Sequence, residues 1–144
     1  MSKQIQFIKV THYDELELKV GQEREISNTM KIRHALLEDN TLGYEICVNE
    51  EKVGFILLQE FASKQFFLWN FIVAANYQGQ GLGKVILQSL IAKLISEFQA
   101  EVITTTYNFG NEIAKKLYER CGFQETEVVH DGKIHEVNMK LEFQ

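Results

Sequence analysis

The stretch Asn76–Leu87, NYQGQGLGKVIL, places glycines at 79, 81 and 83 between an apolar run and a long amphipathic segment. A glycine-rich turn leading from a strand into a helix is suited to holding an anion. The first backbone N–H groups of a helix have no internal partner, and the helix dipole adds partial positive charge there. Without side chains at alternate positions, phosphate oxygens can approach those donors closely. The dipole contributes roughly 0.3–1 kcal/mol, so several hydrogen bonds to charged oxygens must supply the remainder.

Three kinds of loop answer to this description. A P-loop, G-x-x-x-x-G-K-[ST], would have to use Gly83-Lys84, but Gln78 stands where its first glycine belongs and Val85 where its hydroxyl belongs. A dinucleotide turn, G-x-G-x-x-G, starts correctly at Gly79 and Gly81 but meets Lys84 at its third position. The third pattern, Q-x-x-G-x-G, is matched by Gln78, Gly81 and Gly83.

The elements that position this loop follow from periodicity. FFLWNFIV (66–73) is almost wholly apolar and predicts a central strand covered on both faces. From Leu82 to Phe98 apolar residues recur at spacings of three and four, which predicts the principal helix. EVITTT (101–106) predicts the next strand. NEIAKKLYERCGF (111–123) predicts a short helix with Asn111 as N-cap and Gly122 in the left-handed position that ends it. Upstream, IQFIKV (5–10) predicts a first strand, and Tyr13–Asp39 predicts two helices broken near Gly21. GYEICVN (43–49) and KVGFILLQ (52–59) predict a hairpin turning at Asn49-Glu50-Glu51. Two last strands, about 123–130 and 133–142, flank Asp131-Gly132. The sum is one α/β domain over residues 1–144, a mixed central sheet flanked by helices in the order β-α-α-β-β-β-α-β-α-β-β.

Composition narrows the function. Forty-five per cent hydrophobic and 24% charged residues describe an ordinary globular chain. A net charge of −5 argues against nucleic acid as partner. Cys47 and Cys121 fit no metal or C-x-x-C spacing and read as buried free thiols of a reducing compartment. MSKQIQFIKV lacks the apolar run of a signal peptide or membrane span, so a cytoplasmic protein without membrane attachment is expected.

The Gln78/Gly81/Gly83 pattern, the run before it and the segment Asn111-x-x-Ala114-x-x-x-Tyr118-x-x-x-Gly122-Phe123 together resemble the GNAT superfamily of acyl-CoA N-acyltransferases, along with the order of elements. The resemblance spans essentially the whole chain, with its specific part at 66–123. It implies acetyl-CoA as co-substrate, an amine of a small molecule or peptide as acceptor, and no metal. Its pyrophosphate would rest on backbone N–H groups from Gln78 or Gly79 through Gln80, Gly81, Leu82, Gly83 and Lys84. The pantetheine arm would run beside Phe71, Ile72 and Val73, with Asn111 touching it. Homodimers occur among similar proteins.

The implied chemistry is attack of an amine on a thioester. The Val73 N–H would hold the oxyanion, and Tyr118 would act as general acid to the leaving thiolate. Tyr118 also reads simply as part of its helix's apolar stripe. The strand glutamate that some members use as base corresponds to Phe67 here. Glu60, or a water held by Asn70, Thr105 or Tyr107, are substitutes. Loss of that glutamate leaves open an acyl-CoA-binding sensor without turnover. His130 and His135 read as turn histidines, and His12 and His34 fall in the expected acceptor region. Asp14, Glu15, Glu17, Glu23 and Glu25 read as a solvated face or an attractor for a cationic substrate.

Overall fold

The computed structural model describes residues 4–132 and 134–143. Seven strands form one sheet: β1 (Ile5–Val10), β2 (Thr41–Val48), β3 (Glu51–Ala62), β4 (Gln65–Val73), β5 (Val102–Asn108), β6 (Gln124–Asp131) and β7 (Ile134–Glu142). Their spatial order is β1-β2-β3-β4-β5-β7-β6. Every neighbouring pair is antiparallel except β4 and β5, which run parallel. A parallel pair needs a crossover, and the principal helix α2 (Leu82–Phe98) supplies it. The Asp131-Gly132 hairpin is present, although Lys133 lies outside the described residues.

The β2–β3 turn is tighter than expected. Asn49 and Glu50 both take positive φ, 50° and 72°, as a two-residue primed turn requires, and Glu51 already belongs to β3. β4 is the middle strand, as its apolar run demands, but burial alternates along it. Phe66, Leu68 and Ile72 are fully buried, whereas Phe67, Trp69 and Phe71 are only half-buried.

The reason lies in what covers each face. α2 and α3 (Glu112–Arg120) cover one side, with Leu82, Ile86, Leu87, Leu90 and Leu94 packed on Ile56, Leu58, Phe66 and Leu68. The opposite side carries a smaller cluster, Tyr13, Ile32, Ala35, Phe55, Leu57 and Ile72. Its cover is thinner than the sequence suggested. Of the two helices expected over 13–39, one is α1 (Thr29–Ala35), and the other is reduced to a single 3-10 turn at Gln22–Arg24. Residues 13–20 run irregularly, and their bonds and those of Ser27 reach distant parts of the chain rather than a helical neighbour. Glu17 O accepts the Ala75 N–H at 2.8 Å, and the Asn70 carboxamide takes the Ser27 N–H at 2.8 Å and donates to its hydroxyl at 3.1 Å.

Candidate active site

β4 and β5 pair only from Gln65–Val102 to Leu68–Thr105, although β4 continues to Val73 and β5 to Asn108. Beyond that point the strands splay into a V. A bulge at Trp69 accompanies the parting, since Leu58 pairs with Leu68 while Leu57 pairs with Asn70. The bulge shifts the alternation, so that Phe71 and Val73 join the helix side of the core. The Ala74 N–H bonds Val53 O across β3 at 2.8 Å. Successive residues turn their backbone groups to opposite sides. Ile72 therefore shares the β3-facing side, and the backbone groups of Phe71 and Val73 face the gap. The Ile72 side chain is fully buried, so this residue sits behind the site rather than in it.

A cleft of about 760 Å³ occupies the V. The glycine loop closes one side, α3 the other, and residues 19–26 lie over it. Gly79 and Gly81 have φ of +76° and +74°, and a Cβ at either would meet nothing within 4 Å. Both positions thus require glycine for the backbone and leave open space for a ligand. Gly83 is helical and faces Leu117 instead. Among the described residues, the N–H groups of Gly79 through Lys84 have no hydrogen-bond partner, while that of Gln78 bonds Ala75 O at 3.3 Å. The donor run therefore begins at Gly79. Gln80 lies outside the cleft lining, its side chain donating to Asn76 O.

The Gln78 side chain has a task that its place in the motif did not reveal. Its Nε2 donates to Val73 O at 2.7 Å and to Gln22 Oε1 at 2.8 Å, and Gln22 Nε2 donates to the same Val73 carbonyl at 3.2 Å. Two carboxamides thus pin the end of β4. On the far side of the V, Glu25 Oε2 accepts from Asn108 Nδ2 and Asn111 Nδ2, both at 3.0 Å. Asn111 also caps α3, its Oδ1 accepting the Ala114 N–H at 3.2 Å, as its position predicts. Residues 22–25 form a strap tied to both arms of the V.

Tyr118 lies at the apex. Its ring is buried against Phe123, centroids 5.6 Å apart. Burial pushes its phenol up, and the neighbouring Thr105 hydroxyl offsets part of that rise. Thr105, in the last β4–β5 pair, donates to Leu68 O at 3.0 Å. Four cationic residues line the cleft, Lys19, Lys84, Lys116 and Arg120, in a chain whose net charge is negative. Unpartnered loop donors, an unpaired strand edge and these cations match a long ligand that ends in phosphates.

Other sequence candidates fall elsewhere. Glu60 is exposed at the opposite end of β3 and accepts the Lys64 N–H. Asn70 is engaged by Ser27, Thr105 donates to Leu68, and the Tyr107 hydroxyl donates to Glu125 at 2.7 Å. His130 and His135 are exposed and pack edge to face across the last hairpin. His12 is exposed beside Asp14, and His34 is exposed on α1. No helix among the described residues is long and apolar enough to cross a membrane.

A profile of the Acetyltransferase (GNAT) family matches residues 9–123. The chain belongs to this family. Among curated relatives, the spermine/spermidine N(1)-acetyltransferase of Bacillus subtilis (strain 168) is 38% identical over 58 residues, 40% of this chain and 38% of that protein. The chain thus matches about two fifths of the length of this relative. Among solved structures, the spermidine N-acetyltransferase from Vibrio cholerae, in complex with CoA and spermine, superposes with a TM-score of 0.66 at 17% identity. That match covers 78% of this chain and 72% of the other. An aminoglycoside acetyltransferase in complex with coenzyme A gives 0.64 at 21% identity, covering 74% and 69%. Likeness at such identities is likeness of fold, and the GNAT fold is shared across these proteins.

Proposed function

We propose that this GNAT protein transfers an acetyl group from acetyl-CoA to a primary amine. The observation that carries the reading is the V between β4 and β5, with the unpartnered N–H groups of Gly79–Lys84 at its mouth and Tyr118 at its apex. Pyrophosphate oxygens would accept from those N–H groups, with Lys84 and the other cleft cations nearby. The pantetheine arm would pair with the gap-facing backbone of Phe71 and pass Val73, leading the thioester toward Tyr118.

The amine attacks the thioester carbonyl, a C–N bond forms, and the developing oxyanion accepts from the Val73 N–H. Two carboxamides on the Val73 carbonyl fix the next peptide, Val73–Ala74, and so steady the strand end on which the donor sits. The C–S bond then breaks. A thiol near 8.5 is a stronger acid than a phenol near 10, and burial raises Tyr118 further. Tyr118 therefore serves as a hydrogen-bond donor to the departing sulfur, the phenolic proton moving only as charge builds there. The proton lost by the amine leaves through the solvent-facing mouth, since Phe67 occupies the place of the strand carboxylate.

The test combines calorimetric acetyl-CoA binding with thiol release over a panel of amines. Relatives named for spermine and spermidine put polyamines first in that panel. Tyr118→Phe should lower turnover by roughly a hundredfold, in the range of a lost acid, with acetyl-CoA affinity little changed. Unchanged turnover refutes the assignment of Tyr118. Binding without release from any amine would favour a sensor that holds acyl-CoA without turnover.

A further inference from the structure

Among the described residues, the cleft has one carboxylate. Lys19, Lys84, Lys116 and Arg120 suit the phosphates of one substrate, but Glu25 is the single acidic residue among those that line the space. A carboxylate beside four cations is poorly placed for binding phosphates. Its geometry shows what it is suited to hold. Oε2 is fixed by two carboxamides, Asn108 and Asn111, at 3.0 Å each. Among the described residues Oε1 takes no hydrogen bond and Glu25 enters no salt bridge. The carboxylate is oriented at one oxygen and available at the other. Asn108 Nδ2 also donates to Arg24 O at 2.9 Å, which steadies the strap that carries it.

An available carboxylate in an amine-modifying site calls for an ammonium. Facing the reacting amine it would act as a base, and facing a second charge on the same acceptor it would act as an anchor. An acceptor with a second charge also has an acidic surface to run into. We propose that Glu25 anchors a non-reacting ammonium of the acceptor, so that the protein selects diamines and longer polyamines over monoamines. This rests on the acetyl-transfer reading and adds to it the residue that sets specificity. A longer acceptor has room to extend. Past Ile26, which lines both spaces, the surface continues into a pocket of about 450 Å³ lined by Glu15 and Glu23 and by no lysine or arginine.

The experiment compares putrescine with butylamine, matched in carbon chain and differing in the second charge, at saturating acetyl-CoA. Both are run on the wild-type protein and on Glu25→Gln, whose amide oxygen still accepts from Asn108 and Asn111. Wild type should show a KM for putrescine about tenfold below that for butylamine, the worth of one charge-assisted hydrogen bond. Glu25→Gln should raise the putrescine KM toward that of butylamine, with kcat moving much less. Calorimetric titration of putrescine into the protein loaded with coenzyme A should show the same loss of affinity. An unchanged ratio of the two KM values overturns the anchor, as does an equal fall in kcat for both amines, which would make Glu25 a base. Loss of acetyl-CoA affinity in Glu25→Gln also overturns it, placing the effect on Asn111 and the cofactor arm. A wild type that turns over both amines with equal KM sinks this inference alone. A wild type that neither binds acetyl-CoA nor releases thiol sinks the acetyl-transfer reading together with it.

Discussion

Gly81 and Gly83 lie two residues apart in one motif, yet alanine should act on them with opposite sign. At Gly81, φ is +74° and nothing stands within 4 Å of a new Cβ, so the whole effect is backbone strain. A left-handed conformation costs an L-residue about 1–2 kcal/mol. Loss of unfolded-chain freedom offsets roughly 0.4–1 kcal/mol of that, leaving about 1 kcal/mol of destabilisation. At Gly83 the backbone is helical, and a Cβ would rest 3.6 Å from Leu117 Cδ2, an ordinary contact between α2 and α3. Alanine there gains helix propensity, about 0.5 kcal/mol in a first turn. At about 3 °C per kcal/mol for a domain of this size, ligand-free thermal unfolding should show Gly81→Ala melting about 3 °C lower. Gly83→Ala should melt about 2 °C higher on the same scale. Gly81→Asn, with a side chain better tolerated in the left-handed region, should fall between wild type and Gly81→Ala. Shifts of the same sign for the two alanines would refute the assignment of one glycine to the turn and the other to the helix.

Two further outcomes follow from other parts of the molecule. Asn70→Ala strands the Ser27 N–H and hydroxyl that its buried carboxamide now serves. It should lower stability by about 1–3 kcal/mol, seen in urea as a lower midpoint with an unchanged slope. The Tyr107 phenol is raised by burial and by its bond to Glu125. Its contribution to stability is complete below about pH 10, the ordinary phenol value, and is lost as pH climbs from there through the raised folded value. Denaturant midpoints measured from pH 8 upward should therefore decline at the alkaline end, and Tyr107→Phe should flatten that decline.

The strand and helix order was legible in the sequence because each element carries its own period. Leu82–Phe98 repeats at three and four, β4 is almost wholly apolar, and Asn111 and Gly122 mark the ends of α3 with the residues those positions favour. The glycine loop was legible for the same reason, since a left-handed turn followed by a helix demands glycine locally. The segment 13–28 was not. Its apolar residues suggested helices, but Glu17 bonds Ala75 just past β4 and Ser27 bonds Asn70 on β4, and no local pattern records partners that distant.

The site divides in the same way. Gly79, Gly81 and Asn111 take the backbone and cap that positions within their own elements demand, so sequence alone singled them out, whereas Tyr118 stood out only through the family resemblance. Gln22, Glu25 and Asn108 carry no such signal, and Glu25 read as one acid in a solvated run. Gln22 and Glu25 are separated from the carboxamides and carbonyl they meet by 51 to 86 residues of chain, and the strap they form exists only because β4 and β5 splay. Local backbone preference is written residue by residue along the chain. The placing of one carboxylate among four cations is decided only when the sheet opens and the chain folds across it.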